Sequence, residues 1–254
     1  MEHSRVALAP FLADCPEVLT LGVRPGFEDY SAEERQTLRK ASRIFFPTPR
    51  FVSVFHAAGL PCFPSYYSYR YQRSRLLQNA LFQWVGIPHL GGRAYYGPRQ
   101  KEAILRDFPT PFLLTGPFAR PDTVHVVNCG EDLRGLRDRY NPVLVRPLVS
   151  WRRQVRLVFL RHGCIGAQVL TASRCGTSTW EPVSTGEKNL DSVIRQTRGL
   201  LRGAQIDDIL VHWGHDGESW KLIEMLRPPL RVQTPSGVVR RHQLVGRLIR
   251  ESIL

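Results

Sequence analysis

The chain has 254 residues, with 35 Lys and Arg residues against 22 Asp and Glu residues, which gives a formal net charge of +13 at pH 7. Hydrophobic residues make up 43% and charged residues 22%, proportions that favour a folded chain and argue against an intrinsically disordered one. No apolar run approaches the ~20 residues of a membrane-spanning helix. The N-terminus lacks the basic start and long apolar centre of a secretory signal, so we expect a cytoplasmic protein.

The positive charge is carried almost entirely by arginine, since the sequence contains four lysines. A basic protein attracts phosphates of nucleic acids, nucleotides or acidic lipids, and charge alone does not choose among these partners. The five cysteines are scattered and form no C-x-x-C pair, which favours reduced thiols over a zinc site or a disulfide framework. They are Cys15, Cys62, Cys129, Cys164 and Cys175.

The first sixty residues predict a small β-α-β-α unit. Ser31 followed by Glu34 is a capping-box start for a helix, and Gly59 is a typical helix end. The predicted strands cover residues 17–23 and 42–48, and the helices cover residues 31–41 and 50–59.

The middle of the chain begins with an amphipathic helix over residues 74–86, capped by Ser74 and ended by Gly86. The sequence predicts a further helix at 131–140. The strand-like segments around it are 111–117, 122–128 and 142–149.

The last hundred residues predict two hairpins and two helices. The hairpins cover residues 154–170, around a turn RHG, and 208–226, around Asp216-Gly217. A helix is predicted between them over residues 190–204. In the tail, one apolar helix face is predicted to pack on the core rather than on a membrane; it comprises Val238, Val245, Leu248, Ile249 and Ile253.

From residue 64 to about residue 230 the order of motifs resembles the ATP-grasp superfamily, closest to the RimK and glutathione-synthetase type. The motifs that carry the resemblance are LFQWVGIPHLGGRAYYG, FPTPFLLTG, VHVVNCGEDL, NPVLVRPLV, RQVRLVFLRHGCIGAQ and VHWGHDGESWKLIEML. The resemblance implies an α/β ATP-grasp-like fold. It places a small pre-ATP-grasp α/β subdomain at residues 1–63 and an ATP-grasp-like domain at 64–254, divided into about 74–149 and 150–254.

The resemblance also implies an ATP-dependent carboxylate–amine ligase that uses ATP and Mg²⁺. Glu224 occupies the position of a metal ligand, and Mg²⁺ prefers such oxygen ligands. Arg156 occupies the position of an arginine that binds phosphate or carboxylate, with Arg174 as a further candidate. The nucleotide-binding positions fall on Arg75, Thr115, Arg146 and Leu148.

Several of these positions depart from the family pattern. Thr115 stands where the family has a phosphate-binding lysine, and Arg146 stands where it has an acid beside the adenine. His212 and Leu226 replace two further metal-binding residues, and the glycine-rich phosphate loop is here PFARPDTV, with two prolines. We therefore expect an eroded ATP and Mg²⁺ site in a weakly active or non-catalytic binder of an anionic small molecule or nucleotide.

Two alternatives remain open from the sequence. An active ATP-dependent carboxylate–amine or carboxylate–thiol ligase would use Glu224 for the metal and Arg75 and Arg156 for phosphate or carboxylate. A nucleic-acid-binding protein would use YYSYRYQRSR at residues 66–75, where stacking tyrosines alternate with arginines, although we favour a structural loop there. For the anion binder, the clustered arginines are Arg146, Arg152, Arg153 and Arg156.

Overall fold

The computed structural model describes residues 5–172 and 178–254. These residues form a mixed α/β structure with four sheets, as the sequence predicted. No helix within the described ranges is both long and apolar enough to cross a lipid bilayer. The division into domains at residue 63 stays a prediction, although each of the four sheets draws its strands from one continuous stretch of chain.

The N-terminal sheet is parallel, with strand order β2-β1-β3-β4. The predicted β-α-β-α unit is thus extended by two strands, β1 and β4, which are too short to show a hydrophobic pattern. The predicted capping box is present: the Glu34 amide donates to the Ser31 hydroxyl at 3.1 Å, and the Ser31 amide donates to the Glu34 carboxylate at 2.7 Å. The elements are β1 (Arg5–Ala7), β2 (Val18–Thr20), α1 (Ala32–Lys40), β3 (Arg43–Phe45), α2 (Phe51–Ala57) and β4 (Cys62–Phe63).

Two helices lead from this unit into the second sheet. The first, α3 (Tyr66–Tyr71), overturns the expected loop over residues 66–75; its start is capped by Ser65, whose hydroxyl accepts from the Ser68 amide at 3.1 Å. The second, α4 (Arg75–Val85), begins at the predicted Ser74 cap and ends at Gly86, which has a φ of +66°. Such a left-handed residue is where glycine is favoured.

The second sheet is antiparallel, with strand order β5-β8-β6-β7. One face packs into an apolar cluster that includes Phe112, Leu114 and Val145. Thr115 and Arg146 lie on the other face, because Thr115 pairs with Leu144 and side chains alternate along a strand. The elements are β5 (Arg93–Tyr95), α5 (Gly97–Lys101), α6 (Ile104–Asp107), β6 (Phe112–Thr115), β7 (Val124–Val127), α7 (Gly130–Leu136) and β8 (Val143–Pro147).

The third sheet is antiparallel with strand order β11-β10-β9-β12-β13, and it contains both predicted hairpins. Its apolar face packs against one side of the long helix α8, where Leu190, Val193 and Leu201 are fully buried. The elements are β9 (Arg153–Leu160), β10 (Gly163–Ala172), β11 (Ser178–Val183), α8 (Lys188–Gly203), β12 (Asp208–His215) and β13 (Trp220–Leu226).

The tail forms a two-stranded hairpin, β14 (Arg231–Thr234) and β15 (Gly237–Arg240), before the helix α9 (Arg241–Arg250). The predicted tail helix was therefore too long: Val238 lies in β15 and is exposed. Val245 and Ile249 are fully buried against the N-terminal unit, in one cluster with Phe45. The C-terminal helix thus packs against the N-terminal unit.

The four described cysteines are free thiols; they are Cys15, Cys62, Cys129 and Cys164. Cys175 lies outside the described residues.

Candidate functional site

A row of polar side chains crosses one face of the third sheet. The strand registers pair Gln168 with Arg156, Arg156 with His212, and His212 with Glu224, across β10, β9, β12 and β13. Paired residues of adjacent strands project from the same face, so these four side chains lie side by side. The opposite face is apolar and belongs to the core with α8. We call these four residues the polar row.

Glu224 is the acidic end of the polar row. Its Oε2 lies 3.9 Å from Nε of Arg75 and its Oε1 lies 3.7 Å from Nδ1 of His212, with 20% of its side chain exposed. Burial by itself would raise the pKa of Glu224, but His212, Arg75 and Arg146 together outweigh it and hold the pKa below its usual value. The carboxylate is therefore ionised at neutral pH and serves as a counter-ion for its cationic neighbours.

Arg146 reaches this carboxylate from the second sheet. Its side chain is 3% exposed, and its Nη1 donates to the carbonyl oxygen of Ile223 in β13 at 3.2 Å, which links the two sheets. Burial lowers the pKa of Arg146 to about 10, although the charge of Glu224 opposes the shift. Gly92 leaves room for this side chain, because a Cβ there would lie 2.9 Å from Cγ of Arg146. Arg146 and the polar row thus face one cleft.

Arg156 occupies the centre of the polar row and stacks on an aromatic ring. Its guanidinium carbon lies 4.0 Å from the centroid of Trp180, which also meets the His212 ring edge-on at 5.4 Å. Its Nε is buried without a hydrogen-bond partner in the described chain, and burial lowers its pKa. The sequence did not single out Trp180, because β11 matches no motif and the pairing that brings it here is long-range.

The side chain of Arg75, the first residue of α4, is engaged in hydrogen bonds to the loop between β6 and β7. Its Nη1 donates to the carbonyl oxygen of Phe118 at 2.6 Å and to the hydroxyl of Thr123 at 2.7 Å, and its Nη2 donates to the carbonyl oxygen of Arg120 at 3.0 Å. This loop corresponds to the phosphate loop of the predicted family. Arg75 therefore fixes the loop, and it could bind a phosphate only if these hydrogen bonds were exchanged.

Two further predicted positions contribute less to the cleft. Thr115 is 3% exposed, and its hydroxyl donates to the carbonyl oxygen of Leu144 at 3.1 Å. Leu148 follows the end of β8 and is 44% exposed. Neither side chain offers a free hydrogen-bond donor to a phosphate.

The predicted arginine cluster is only partly assembled. Arg146 and Arg156 lie on the cleft, but Arg153 forms an ion pair with Glu187, with Nη2 and Oε2 2.9 Å apart. Arg152 packs at the turn of the β12-β13 hairpin, where a Cβ on Gly217 would lie 2.8 Å from its Nε. The prediction that Arg152 and Arg153 join this cluster is therefore wrong. Arg174, the further candidate, lies outside the described residues.

The side chains of the cleft do not fit Mg²⁺. Residues 5–172 and 178–254 contain no group of three or more His, Cys, Asp or Glu residues arranged to hold a metal ion. Mg²⁺ needs several converging oxygens, whereas Glu224 is approached by arginines and a histidine. The guanidinium groups of Arg75, Arg146 and Arg156 leave a surplus of positive charge, and that surplus suits an anion.

A cavity of about 800 Å³ adjoins this cleft. It lies between Phe46 of the N-terminal unit, Phe118 and Arg120 of the loop that Arg75 holds, and Leu226 and Arg227 at the end of β13. Leu226 is two residues beyond Glu224 on β13, and the carbonyl groups of Phe118 and Arg120 hold Arg75, so the cavity lies next to the acidic end of the polar row. Its lining combines aromatic surface with arginine, a composition that suits an anion with an apolar part.

No protein-family model matches the sequence, and no curated protein matches it. Solved structures do match in three dimensions. A RimK-domain ATP-grasp protein from Sphaerobacter thermophilus has a TM-score of 0.65 and 16% identity, and the match covers 87% of this chain and 90% of that one. D-alanyl-alanine synthetase A from Vibrio cholerae has a TM-score of 0.69 and 10% identity over 99% of both chains.

A third similar structure is N5-carboxyaminoimidazole synthetase from Staphylococcus aureus in complex with ADP. Its TM-score is 0.64 at 12% identity, and the match covers 88% of this chain and 63% of that chain. At such identities the likeness establishes the fold. The chain therefore has the ATP-grasp fold that its motifs predicted.

Proposed function

We propose that this protein uses an ATP-grasp fold to bind an anionic small molecule, a nucleotide in the first place, without Mg²⁺-dependent ligation. The observation that carries the proposal is the charge balance of the cleft. Arg75, Arg146, Arg156 and His212 act on the carboxylate of Glu224, and within the described chain no second carboxylate forms an ion pair with any of them. A cleft of this kind attracts an anion and repels a divalent cation.

A nucleotide is the preferred ligand for two reasons. The Staphylococcus aureus neighbour was solved with ADP, and guanidinium groups match the geometry of phosphate oxygens. The adjoining cavity of about 800 Å³ offers aromatic surface from Phe46 and Phe118 beside Arg120 and Arg227. These features support the proposal through chemistry of this chain, beyond the likeness of folds.

Ligation is disfavoured by what the cleft lacks. Transfer of a phosphoryl group to a carboxylate needs charge neutralisation at the reacting oxygens, which Mg²⁺ ordinarily supplies in such enzymes. Glu224 is the predicted metal ligand, and its negative charge is already compensated by neighbouring cations. The loop that would cover the phosphates carries Pro117 and Pro121, which provide no backbone N–H donors.

Isothermal titration with ADP, in the presence of Mg²⁺ and in the presence of EDTA, tests the proposal. We expect saturable binding of equal affinity in both conditions. Arg156→Ala should weaken it by about tenfold or more, because a charge-assisted contact is lost. Arg153→Ala is the matched control on the same strand, since Arg153 pairs with Glu187 away from the cleft, and it should leave binding unchanged.

The same titration can also contradict the proposal. Absence of heat at millimolar ADP, or binding that requires Mg²⁺, would contradict the proposal. Phosphate release from ATP in the presence of mixed amino acids would support the alternative of an active carboxylate–amine ligase, a reading encouraged by the D-alanyl-alanine synthetase likeness. That release should then disappear in Glu224→Gln.

The nucleic-acid alternative has less support. Tyr66 stacks on His56 with ring centroids 4.3 Å apart, and Tyr67 meets the same imidazole edge-on at 5.5 Å. These rings contact one another instead of forming a row of free stacking surfaces along the segment. Retention on a nucleic-acid column at low salt that is lost as the salt concentration rises would support nucleic-acid binding.

A further inference from the structure

A second cavity, of about 370 Å³, lies between the N-terminal unit and the turn that joins β9 to β10. Its lining shares no residue with the polar row or with the larger cavity. Three arginines from separate elements line it: Arg43 from β3, Arg161 from the β9-β10 turn and Arg202 from the end of α8. Convergence of cations from three distant parts of the sequence is a feature that only the fold creates.

These three guanidinium groups have no acidic partner in the described chain. The carboxylate of Asp207 also lines the cavity, but its Oδ1 accepts from the Ser65 amide at 2.8 Å and from the Ser68 hydroxyl at 2.9 Å. Asp207 is thus held by serines, and none of the ion pairs formed by described residues includes Arg43, Arg161 or Arg202. Three arginine side chains and one carboxylate side chain, that of Asp207, therefore line this small cavity.

The turn that supplies Arg161 is backbone-strained. Arg161 has a φ of +47° and His162 a φ of +73°, the left-handed region that two-residue hairpin turns usually fill with Asn and Gly. His162 also lines the cavity, and its Nε2 is buried without a hydrogen-bond partner in the described chain. Large basic side chains at strained positions are a pattern associated with binding sites.

One wall of the cavity is aromatic and flat. Tyr66 stacks on His56 with the two rings 3° from parallel, and both residues line the cavity. A flat wall beside a cationic cluster suits a ligand that combines a planar ring with a phosphate. The volume lies near the lower end of the ~300–1,000 Å³ range of small-molecule sites, which favours a small ligand over a polymer.

We propose that this cavity is a second anion site, separate from the cleft, that binds a phosphomonoester with a planar ring, such as a nucleoside monophosphate. Arg43, Arg161 and Arg202 bind the phosphate, and the stacked pair of Tyr66 and His56 lies against the ring. The site unites the N-terminal unit with β9, β10 and α8, so its ligand bridges these parts of the fold.

Titration of the full chain with AMP and, separately, with inorganic phosphate tests this site. Arg161→Gly and Arg202→Ala should each weaken AMP binding by about tenfold or more. Arg161→Gly is chosen because glycine adopts a φ of +47° without strain, so this variant loses the side chain while the turn is retained. Arg195→Ala, on the same helix as Arg202 but outside the cavity lining, removes an equal charge and should have no effect.

The outcomes separate this site from the cleft. Arg156→Ala should leave AMP binding here unchanged even if it abolishes ADP binding in the cleft. Equal affinity for inorganic phosphate and AMP would keep the phosphate site and refute the contact with the ring. No saturable binding of either probe at millimolar concentration, an equal loss in Arg195→Ala, or binding of polynucleotide alone would overturn the proposal.

Discussion

At the scale of single residues, the buried charge of Glu224 holds the cleft together. Its carboxylate lowers the energy of the Arg75, Arg146 and Arg156 charges, which burial otherwise disfavours, as their lowered pKa values indicate. Removing a buried counter-ion leaves its partners uncompensated, and such losses typically reach ~3–5 kcal/mol. The same residue that the family resemblance assigns to a metal therefore has a structural role in this chain.

Glu224→Gln should lower the free energy of unfolding by about 3 kcal/mol near neutral pH, because the buried guanidinium groups of Arg75 and Arg146 and the half-buried one of Arg156 lose their counter-ion. The folded-state pKa of Glu224 is lowered from 4.5, so its stabilising contribution is present above that pH and is lost as pH falls through the folded-state pKa. The difference between wild type and variant should therefore shrink in acid. Urea unfolding of wild type and variant, at neutral pH and in acid, measures this difference in stability.

Glu218→Gln serves as the control, because Glu218 is exposed in the turn of the same hairpin. It should change the free energy of unfolding by less than ~0.5 kcal/mol. A Glu224→Gln variant as stable as wild type at neutral pH would show that the carboxylate does not hold the arginines.

The sequence predicted some of the residues that form the cleft and missed others. The motifs located Glu224, Arg146 and Arg156 in the sequence. Arg146 contacts Ile223, next to Glu224 in β13, and Arg156 pairs with His212, the strand partner of Glu224. Trp180 was not foreseen, because a cation–π contact depends on a pairing between β10 and β11 that leaves no local signal. The capture of Arg75 by loop carbonyl groups was also hidden from the sequence.

At the scale of elements, α4 is joined to the edge strand β13 by one buried glutamine. Nε2 of Gln78 donates to the carbonyl oxygens of Tyr71 and Met225, each at 2.7 Å, and its Oε1 accepts from the Met225 amide at 3.0 Å. Gln78 is fully buried, so these backbone groups have no access to water as a substitute. This side chain completes the hydrogen bonding of the strand that ends at the cleft.

Gln78→Ala should cost about 3 kcal/mol of stability, because it leaves buried backbone groups of Met225 unpaired, each worth ~1–3 kcal/mol. Thermal unfolding measures the loss. Gln83→Ala, on the exposed side of α4 where the amide donates to Gly92 at 3.3 Å, is the control and should cost less than ~1 kcal/mol. Equal effects of the two variants would contradict a special role for Gln78.

The sequence predicted elements well where the signal was local. Helices with caps, such as α1 and α4, and long alternating hairpins were placed within a few residues. Short strands such as β1, β4 and β15 were missed, because two to four residues carry too little pattern and depend on pairing with other strands. The helix α3 was expected to be a loop on the RimK-like resemblance, and its six residues are too few to carry a clear helical pattern.

At the scale of the whole molecule, a buried ion pair links the C-terminal helix to the third sheet. Nη1 of Arg241, at the start of α9, contacts Oδ2 of Asp208, at the start of β12, and both side chains are at least 96% buried. The second carboxylate oxygen of Asp208 has no hydrogen-bond partner in the described chain. Burial raises the pKa of Asp208, while Arg241 opposes that rise.

Arg241→Ala should destabilise the protein by about 3 kcal/mol near neutral pH, because the Asp208 carboxylate stays buried without its cation. The folded-state pKa of Asp208, already above 3.8, should rise further, so the stability of this variant should increase as pH falls and the carboxyl binds a proton. Adding Asp208→Asn to Arg241→Ala should therefore recover stability at neutral pH. Denaturant unfolding across pH measures both effects.

Arg240→Ala is the neighbouring control, since Arg240 is exposed, and it should change stability little. If Arg241→Ala lost no stability, or lost it equally at every pH, the ion pair would not be what fastens α9.

The sequence by itself determined the fold family and the positions of the capped helices and long hairpins, because motif order, caps and alternation are recorded in neighbouring residues. Only the tertiary structure decided what the cleft contains. The neutralisation of Glu224 by arginines from α4, β8 and β9, the stacking of Trp180 and the gathering of Arg43, Arg161 and Arg202 all join residues far apart in the chain. Charges act through distance in space, which the order of residues does not record.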